Sequence, residues 1–263
     1  MSAVRRSFVA IEGGHIHYAE AGAGNPVLLL HQTPRSWDEY RDVLPLLGAR
    51  CRAIAMDTIG FGDSSKPGGP GTVEGYAEAV LRFLDALGLE RVSLVGHHTG
   101  GVIAFELAAS HPERVDRLVL SSTPLVDDAF RRERELRPAP DDVRPDNDGS
   151  HLLELWQGRL PFYPPGRRDL LERFVVDALK AGTSAHGGHM AVRNYDMTAK
   201  LALVRAPTLL IGATDDPFAI GHLEPLAACI AGSRTVLIEG GTVPLPDHLP
   251  EDFARAVLDF LDP

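Results

Sequence analysis

The sequence predicts an α/β protein, a mostly parallel sheet flanked by helices and interrupted by a helical insert. Short β-type runs alternate with helix-length stretches, the pattern of strands linked by crossover helices. Runs such as Val27, Leu28, Leu29 and Leu30 are apolar at every position, as strands buried on both faces must be. From Pro124 to about Lys200 no such run is visible, and the alternation then resumes.

The elements follow in order. Residues 7–12 and 15–19 read as a hairpin turning at Gly13-Gly14. Residues 26–31 form the first buried strand. A helix is expected over 36–47, with Ser36 as N-cap and Glu39 completing a capping box. Residues 51–57 give the next strand. A glycine-rich turn follows, then a helix over 73–87 stopped by Gly88. Residues 91–96, 99–110 and 117–121 read as strand, helix and strand. Residues 137–150, rich in Pro, Asp, Asn and Gly, read as a mobile loop among helical stretches near 129–136, 151–160, 168–181 and 188–201. Strands return at 207–212 and 234–239, and a helix over 250–261 ends the pattern. The expected division is a core over 1–124, a helical cap over 125–200 and a second part of the core over 201–263.

Composition narrows the function classes. The chain has 263 residues, 44% of them hydrophobic and 24% charged, which is ordinary globular usage. Asp and Glu outnumber Lys and Arg by 36 to 26, for a formal charge of −10. A net-negative surface argues against nucleic acid and anionic membrane as partners. Cys51 and Cys229 stand too far apart for a zinc motif and imply no disulfide framework. No apolar run approaches the roughly 20 residues of a membrane-spanning helix. No signal-peptide core follows the first residues, so a cytoplasmic location is expected.

The strand at 91–96 runs through Gly96-His97-His98-Thr99-Gly100 into a helix. Small residues at 96 and 100 flank His98, a spacing that makes a sharp turn and lifts the central side chain above the carboxyl edge of the sheet. Such a residue has φ above zero, which His tolerates better than most side chains. The N–H of Thr99 then sits at a helix N-terminus, where negative charge is favoured.

With these residues the chain resembles the α/β-hydrolase superfamily, along essentially its whole length. Leu30-His31-Gln32-Thr33-Pro34 is similar to the oxyanion loop, and Asp57-Thr58-Ile59-Gly60-Phe61-Gly62-Asp63-Ser64 to the turn after the fourth strand. Residues 96–100 resemble the nucleophile elbow, and Gly212-Ala213-Thr214-Asp215 the acid loop. Gly241-Thr242, with Asp247, Pro250 and Glu251 beyond, is similar to the loop that presents the triad histidine. The resemblance implies an eight-stranded, mostly parallel sheet with a helical cap.

The departures carry the functional expectation. The family places Ser, Asp or Cys where His98 stands and His where Thr242 stands; Asp215 alone matches the triad. Acyl transfer needs a nucleophile, a base in reach and a group orienting the base. The elbow offers no hydroxyl or thiol, and His248 lies six residues past the position of the missing histidine. The backbone N–H groups of Thr33 and Thr99 can still hold a carbonyl oxygen. That acidifies the adjacent C–H, with His98, Asp215 or the substrate's own carboxylate as base. Loss of elbow nucleophile and loop histidine together resembles the small triad-less group that includes the peptide-aspartate epimerase of bottromycin assembly. That resemblance implies an isomerase, epimerising an aspartate in a modified peptide natural product without a cofactor. Two alternatives stand beside it: ester or lactone hydrolysis using His98, and an inactive pseudohydrolase that binds a small molecule. Expected partners are a peptide or small-molecule substrate, and a homo-oligomer is allowed.

Each candidate also has a plain structural reading. His98 can be a plug that fills an old site. Asp215 can cap the following helix, with Asp216 as fallback if the register is off by one. Thr33 and Thr99 can be N-caps, and His31 can bond neighbouring backbone. Gln32 puts a polar side chain near the site, and Thr242 and Val243 border it. Trp156, Phe162 and Tyr163 are expected to line a pocket or pack the cap. His186 and His189 are too weak a pair for a metal and are read as a glycine-rich stretch bordering the cleft. The cluster Asp141, Asp142, Asp146 and Asp148 reads as a solvated loop.

Overall fold

A computed structural model describes residues 2–66, 68, 71–135, 141 and 143–261. Its strands are β1 (Arg5–Ile11), β2 (Gly14–Ala21), β3 (Pro26–Leu30), β4 (Arg52–Met56), β5 (Val92–His97), β6 (Val115–Ser121), β7 (Thr208–Ala213) and β8 (Arg234–Ile238). They form one eight-stranded sheet in the order β1-β2-β4-β3-β5-β6-β7-β8. The β1–β2 and β2–β4 pairs are antiparallel and the rest parallel.

The helices are α1 (Leu44–Leu47), α2 (Val73–Ala86), α3 (Thr99–Ser110), α4 (Asp128–Glu135), α5 (Ser150–Arg159), α6 (Arg168–Ala181), α7 (Thr183–Asn194), α8 (Leu223–Cys229), α9 (Leu245–His248) and α10 (Pro250–Leu261). Period-2 geometry sends alternate strand residues to opposite faces. Leu28, Leu30, Ile54, Met56 and Leu94 join the core under α2 and α3. Val27, Leu29, Ala53, Ala55 and Val95 join the core under α1 and α10. No described helix is long and apolar enough to cross a membrane.

Three expectations change. The helix over 36–47 breaks into a 3-10 turn at Trp37–Tyr40 and the short α1. Pro45 is one reason, since it has no N–H to bond back along the helix. Ser36 does cap the turn through Asp38 N, but Glu39 folds inward instead of closing a capping box. Residues 183–189 are not a loop; they form the first half of α7. Gly188 there is a contact residue, since a β-carbon on it would lie 2.5 Å from Thr33 Oγ1. Asp146 and Asp148 are exposed as expected, but the Asp141 side chain is only 4% exposed. Residues 137–140 and Asp142, within the expected mobile loop, lie outside the described residues.

Between β6 and β7 in the chain come α4 to α7. Here Leu155, Tyr163, Leu170, Leu171, Phe174 and Ala178 close a small separate core. In the main sheet, Leu30 pairs with Gly96 and Gly96 with Leu120, so the ends of β3, β5 and β6 stand level where loops can meet. Helix α3 runs very close beneath them. A β-carbon on Gly100 would fall 2.0 Å from the Leu30 carbonyl oxygen. Gly100→Ala should therefore cost at least the roughly 1–3 kcal/mol of an overpacked site. Urea unfolding checks this, and an unchanged midpoint would contradict the close approach.

Candidate active site

β5 ends and α3 begins at His98, whose φ of 48° and ψ of −114° form the tight elbow. A side-chain-bearing residue at positive φ costs about 1–3 kcal/mol unless its surroundings hold it there. The hold is visible: His98 N donates to Ser121 O at 3.0 Å, and His98 O accepts from Gly101 N and Val102 N. The imidazole is thus aimed into a small cavity of about 100 Å³, whose lining includes Gln32, Thr33, His98, Thr99, Phe218 and Val243.

The acid that meets His98 is Asp216. Its Oδ2 accepts from His98 Nε2 at 2.7 Å, and its side chain is fully buried. Asp215, the residue matched by spacing, is exposed. The cause is the turn after β7. Asp216 N closes back on Ala213 O at 3.2 Å, while Asp215 N is drawn to Gly241 O at 2.8 Å. That turns Asp215 outward and Asp216 inward. Asp216 Oδ1 also accepts from Phe218 N at 3.0 Å, which fixes the carboxylate. Burial pushes the Asp216 carboxyl up, but the neighbouring His98 and its hydrogen bond bring it below the ordinary range. An ionised Asp216 receives the Nε2 proton of His98. Nδ1 of His98 makes no hydrogen bond among the described residues.

Thr33 and Thr99 both line the cavity. As the first residue of α3, Thr99 has an N–H without an intrahelical acceptor. Gln32 borders the cavity but is committed elsewhere: its N and Nε2 donate to the two carboxylate oxygens of the fully buried Glu39 at 2.8 and 2.5 Å. His31 holds the loop by donating from Nδ1 to Gln32 O and accepting at Nε2 from Thr58 N. Thr242 stands where a loop histidine was looked for, and its hydroxyl meets His248 Nδ1 at 3.0 Å. Val243 is tied down by His97, whose Nε2 donates to Val243 O at 2.8 Å while Nδ1 accepts from Ser121 Oγ at 3.0 Å. Burial pushes the His97 imidazolium down to about 4, so the ring is a neutral strut.

The cap supplies the opposite wall. His189 lines the cavity and bonds Asp141 Oδ2 at 3.1 Å through Nε2. Asp141 is paired with Arg159 as well, which is why it is buried rather than solvated. His186 is exposed on the same helix and is not brought to His189 as a second ligand. Among the described residues the grouping that could hold an ion is His17, Asp57 and Asp63, but Arg6 and Lys180 already satisfy Asp63. Trp156 and Tyr163 pack the cap core, and Phe162 lies on the Phe218 ring at 4.5 Å; none of the three is among the cavity's lining residues. The lining residues missed in the sequence are Phe130, Arg134, Arg159, Met190, Val192, Arg193, Phe218 and Pro124.

Cap and core are joined by Arg35, which follows the Gln32–Pro34 loop and is fully buried. Its Nε donates to Asp177 Oδ2 of α6 at 2.9 Å, and NH1 donates to Asp247 of α9. Ser36 Oγ donates to Asp177 Oδ1 at 2.8 Å. Arg173 of α6 reaches Asp247 Oδ1 at 2.7 Å and Asp38 Oδ2 at 2.5 Å. Burial pushes the Asp247 carboxyl up to about 6 against the pull of Arg35 and Arg173.

A family model described as alpha/beta hydrolase fold matches residues 25–242. A soluble epoxide hydrolase of Corynebacterium is 39% identical over 110 residues, 42% of this chain and 38% of that one; the chain thus spans less than two-fifths of that enzyme's length. An Azorhizobium caulinodans protein named as a carbamate hydrolase is 28% identical over 264 residues, 93% of this chain and 94% of that one. Among solved structures, a hydrolase from Pseudomonas aeruginosa superposes with a TM-score of 0.82 at 28% identity, covering 98% of this chain and 99% of that one. These relatives carry hydrolase names, which overturns the expectation of an isomerase. The missing elbow nucleophile had carried that expectation, but it removes one mechanism of hydrolysis and does not create another reaction.

Two measurements test this architecture. Arg35→Met leaves two buried carboxylates short of a partner, and breaking such a buried pair costs about 3–5 kcal/mol. Calorimetry should show a correspondingly large fall in melting temperature; a shift of a degree or two would remove Arg35 from its linking role. The second concerns His97. An unfolded His takes up a proton near pH 6.5, but the folded ring resists until about 4. Its contribution is therefore present above pH 6.5 and lost as pH falls, by about 3 kcal/mol in all. His97→Asn should lose that much less stability than the wild type between pH 7 and pH 4, and parallel stability curves would refute the assignment.

Proposed function

The chain belongs to the α/β-hydrolase-fold family, and from that membership we propose that it hydrolyses a small activated acyl compound, an ester or lactone, with His98 as base. The observation that carries the reading is the 2.7 Å bond from His98 Nε2 to the buried Asp216. A plug would need only bulk at position 98. A buried carboxylate that fixes the ring's tautomer and leaves Nδ1 available suits proton transfer.

The residues present allow a direct displacement by water. His98 Nδ1 takes a proton from water as the oxygen attacks the substrate carbonyl carbon. The carbonyl π pair moves onto oxygen, where the N–H groups of Thr33 and Thr99 receive it. Asp216 stabilises the imidazolium formed in that step. On collapse the C–O bond to the alcohol breaks, and the imidazolium returns its proton to the departing oxygen. The relative named as a carbamate hydrolase, matched along nearly all of this chain, fits a carbonyl that bears a heteroatom leaving group.

The test is hydrolysis of p-nitrophenyl butyrate and γ-butyrolactone. His98→Ala and Asp216→Asn should each lose much of the roughly 10²–10⁴-fold that a positioned base supplies, with folding monitored by circular dichroism. A fluorophosphonate probe should leave the active protein unlabelled, since the elbow holds no serine. Full activity in His98→Ala, labelling that abolishes turnover, or a wild type that hydrolyses neither these compounds nor an acidic p-nitrophenyl ester would defeat the proposal.

A further inference from the structure

The charge in the cavity runs against the charge of the chain. The protein carries a formal −10, yet the cavity lining contains Arg134, Arg159 and Arg193 and no carboxylate among the described residues. The three cations are placed differently. Arg159 is neutralised by Asp141. Arg134 lies over the rings of Phe130 and Phe218, 5.1 and 5.7 Å from their centroids. Arg193, half-buried in the last turn of α7, makes no hydrogen bond or ion pair among the described residues.

Arg193 stands between this largely apolar space and an outer groove that it shares with Asp128 and Glu135, bonded to neither; an arginine so placed is a ready receptor for a carboxylate, which its planar fork binds through two parallel N–H donors. The position is specific. The α7 backbone bearing Arg193 is pressed onto the oxyanion loop at Gly188, where there is no room for a β-carbon beside Thr33. The backbone that carries the cation therefore keeps a fixed relation to Thr33, and the same cavity is lined by Arg193, Thr33, Thr99 and His98.

We propose that the substrate is anionic: a short acyl chain whose carbonyl lies at His98 and whose far end carries a carboxylate bound by Arg193. Phe130, Phe218 and Val243 give the space between the arginines and His98 an apolar lining, which suits the methylene chain of a half-ester of a dicarboxylic acid. This rests on the hydrolase reading for its chemistry, but the anion site can be measured without turnover.

Two p-nitrophenyl esters, the hemiglutarate and the neutral butyrate, are compared by kcat/KM at low salt. The wild type should prefer the hemiglutarate, and Arg193→Gln should reduce that preference tenfold or more, in line with loss of a charge-assisted bidentate contact. Arg193→Lys, which keeps the charge but not the fork, should retain part of it. Separately, calorimetry should show glutarate binding to the wild type and weakening at least tenfold in Arg193→Gln. Glutarate binding without turnover of either ester would keep the anion site and sink the hydrolase reading. Efficient butyrate turnover without glutarate binding, or a hemiglutarate preference untouched by Arg193→Gln, would do the reverse.

Discussion

A guanidinium with no access to water organises this molecule. Arg35 cannot be buried alone; an unpaired charge in the interior costs several kcal/mol. Its partners come from α6 in the cap and α9 near the end of the core, so the charge is satisfied only when three distant stretches of chain meet. It follows directly on the loop that carries Thr33, and the same ion network therefore fixes that loop and seats α6 against it. Glu39 works beside it, clamping Gln32 from both backbone and side chain. The loop is thereby held rigid, as the donor pair of the proposed mechanism would require.

Around this frame the site keeps part of a familiar arrangement and rearranges the rest. The elbow survives as geometry, with its level strand ends and its close strand–helix approach. The imidazole sits on the elbow itself instead of on the loop after β8, and the acid shifts by one residue to meet it. Thr242 and His248 form a local contact in the vacated loop, and neutral His97 pins that loop to β6 from beneath. Imidazole and orienting carboxylate are thus present as a pair, and in the proposed hydrolysis water would supply the oxygen that an elbow nucleophile would otherwise carry.

Much of the fold was legible because the inner parallel strands carry apolar runs between helix-length stretches, and all eight runs read as strands appear in the sheet, β8 as an edge with exposed Arg234 and Thr235. The elbow was legible because glycine is required at 96 and 100, where strand and helix backbones nearly touch. The acid was misplaced by one residue because a four-residue turn, closed by a single backbone hydrogen bond, decides whether Asp215 or Asp216 points inward. Asp141 looked like part of a solvated cluster because its partners, Arg159 and His189, lie 18 and 48 residues away. The stretch at Gly187-Gly188 looked like a loop because glycine is a poor helix former; close packing against Thr33 outweighs that propensity. The arginines around the cavity carried no periodic signal at all. Their role depends on which carboxylates come near, which is a property of the folded chain alone.

The backbone at His98 bears on how this scaffold would respond to selection for durability. Glycine would adopt its φ of 48° freely, so the imidazole is retained at a position where a simpler residue would relax the chain. That exchange would also strip the fully buried Asp216 of its imidazole partner, and a stranded interior carboxylate costs more than a relaxed turn returns. Ring and acid are therefore bound to change together, and a sturdier descendant would have to give up both.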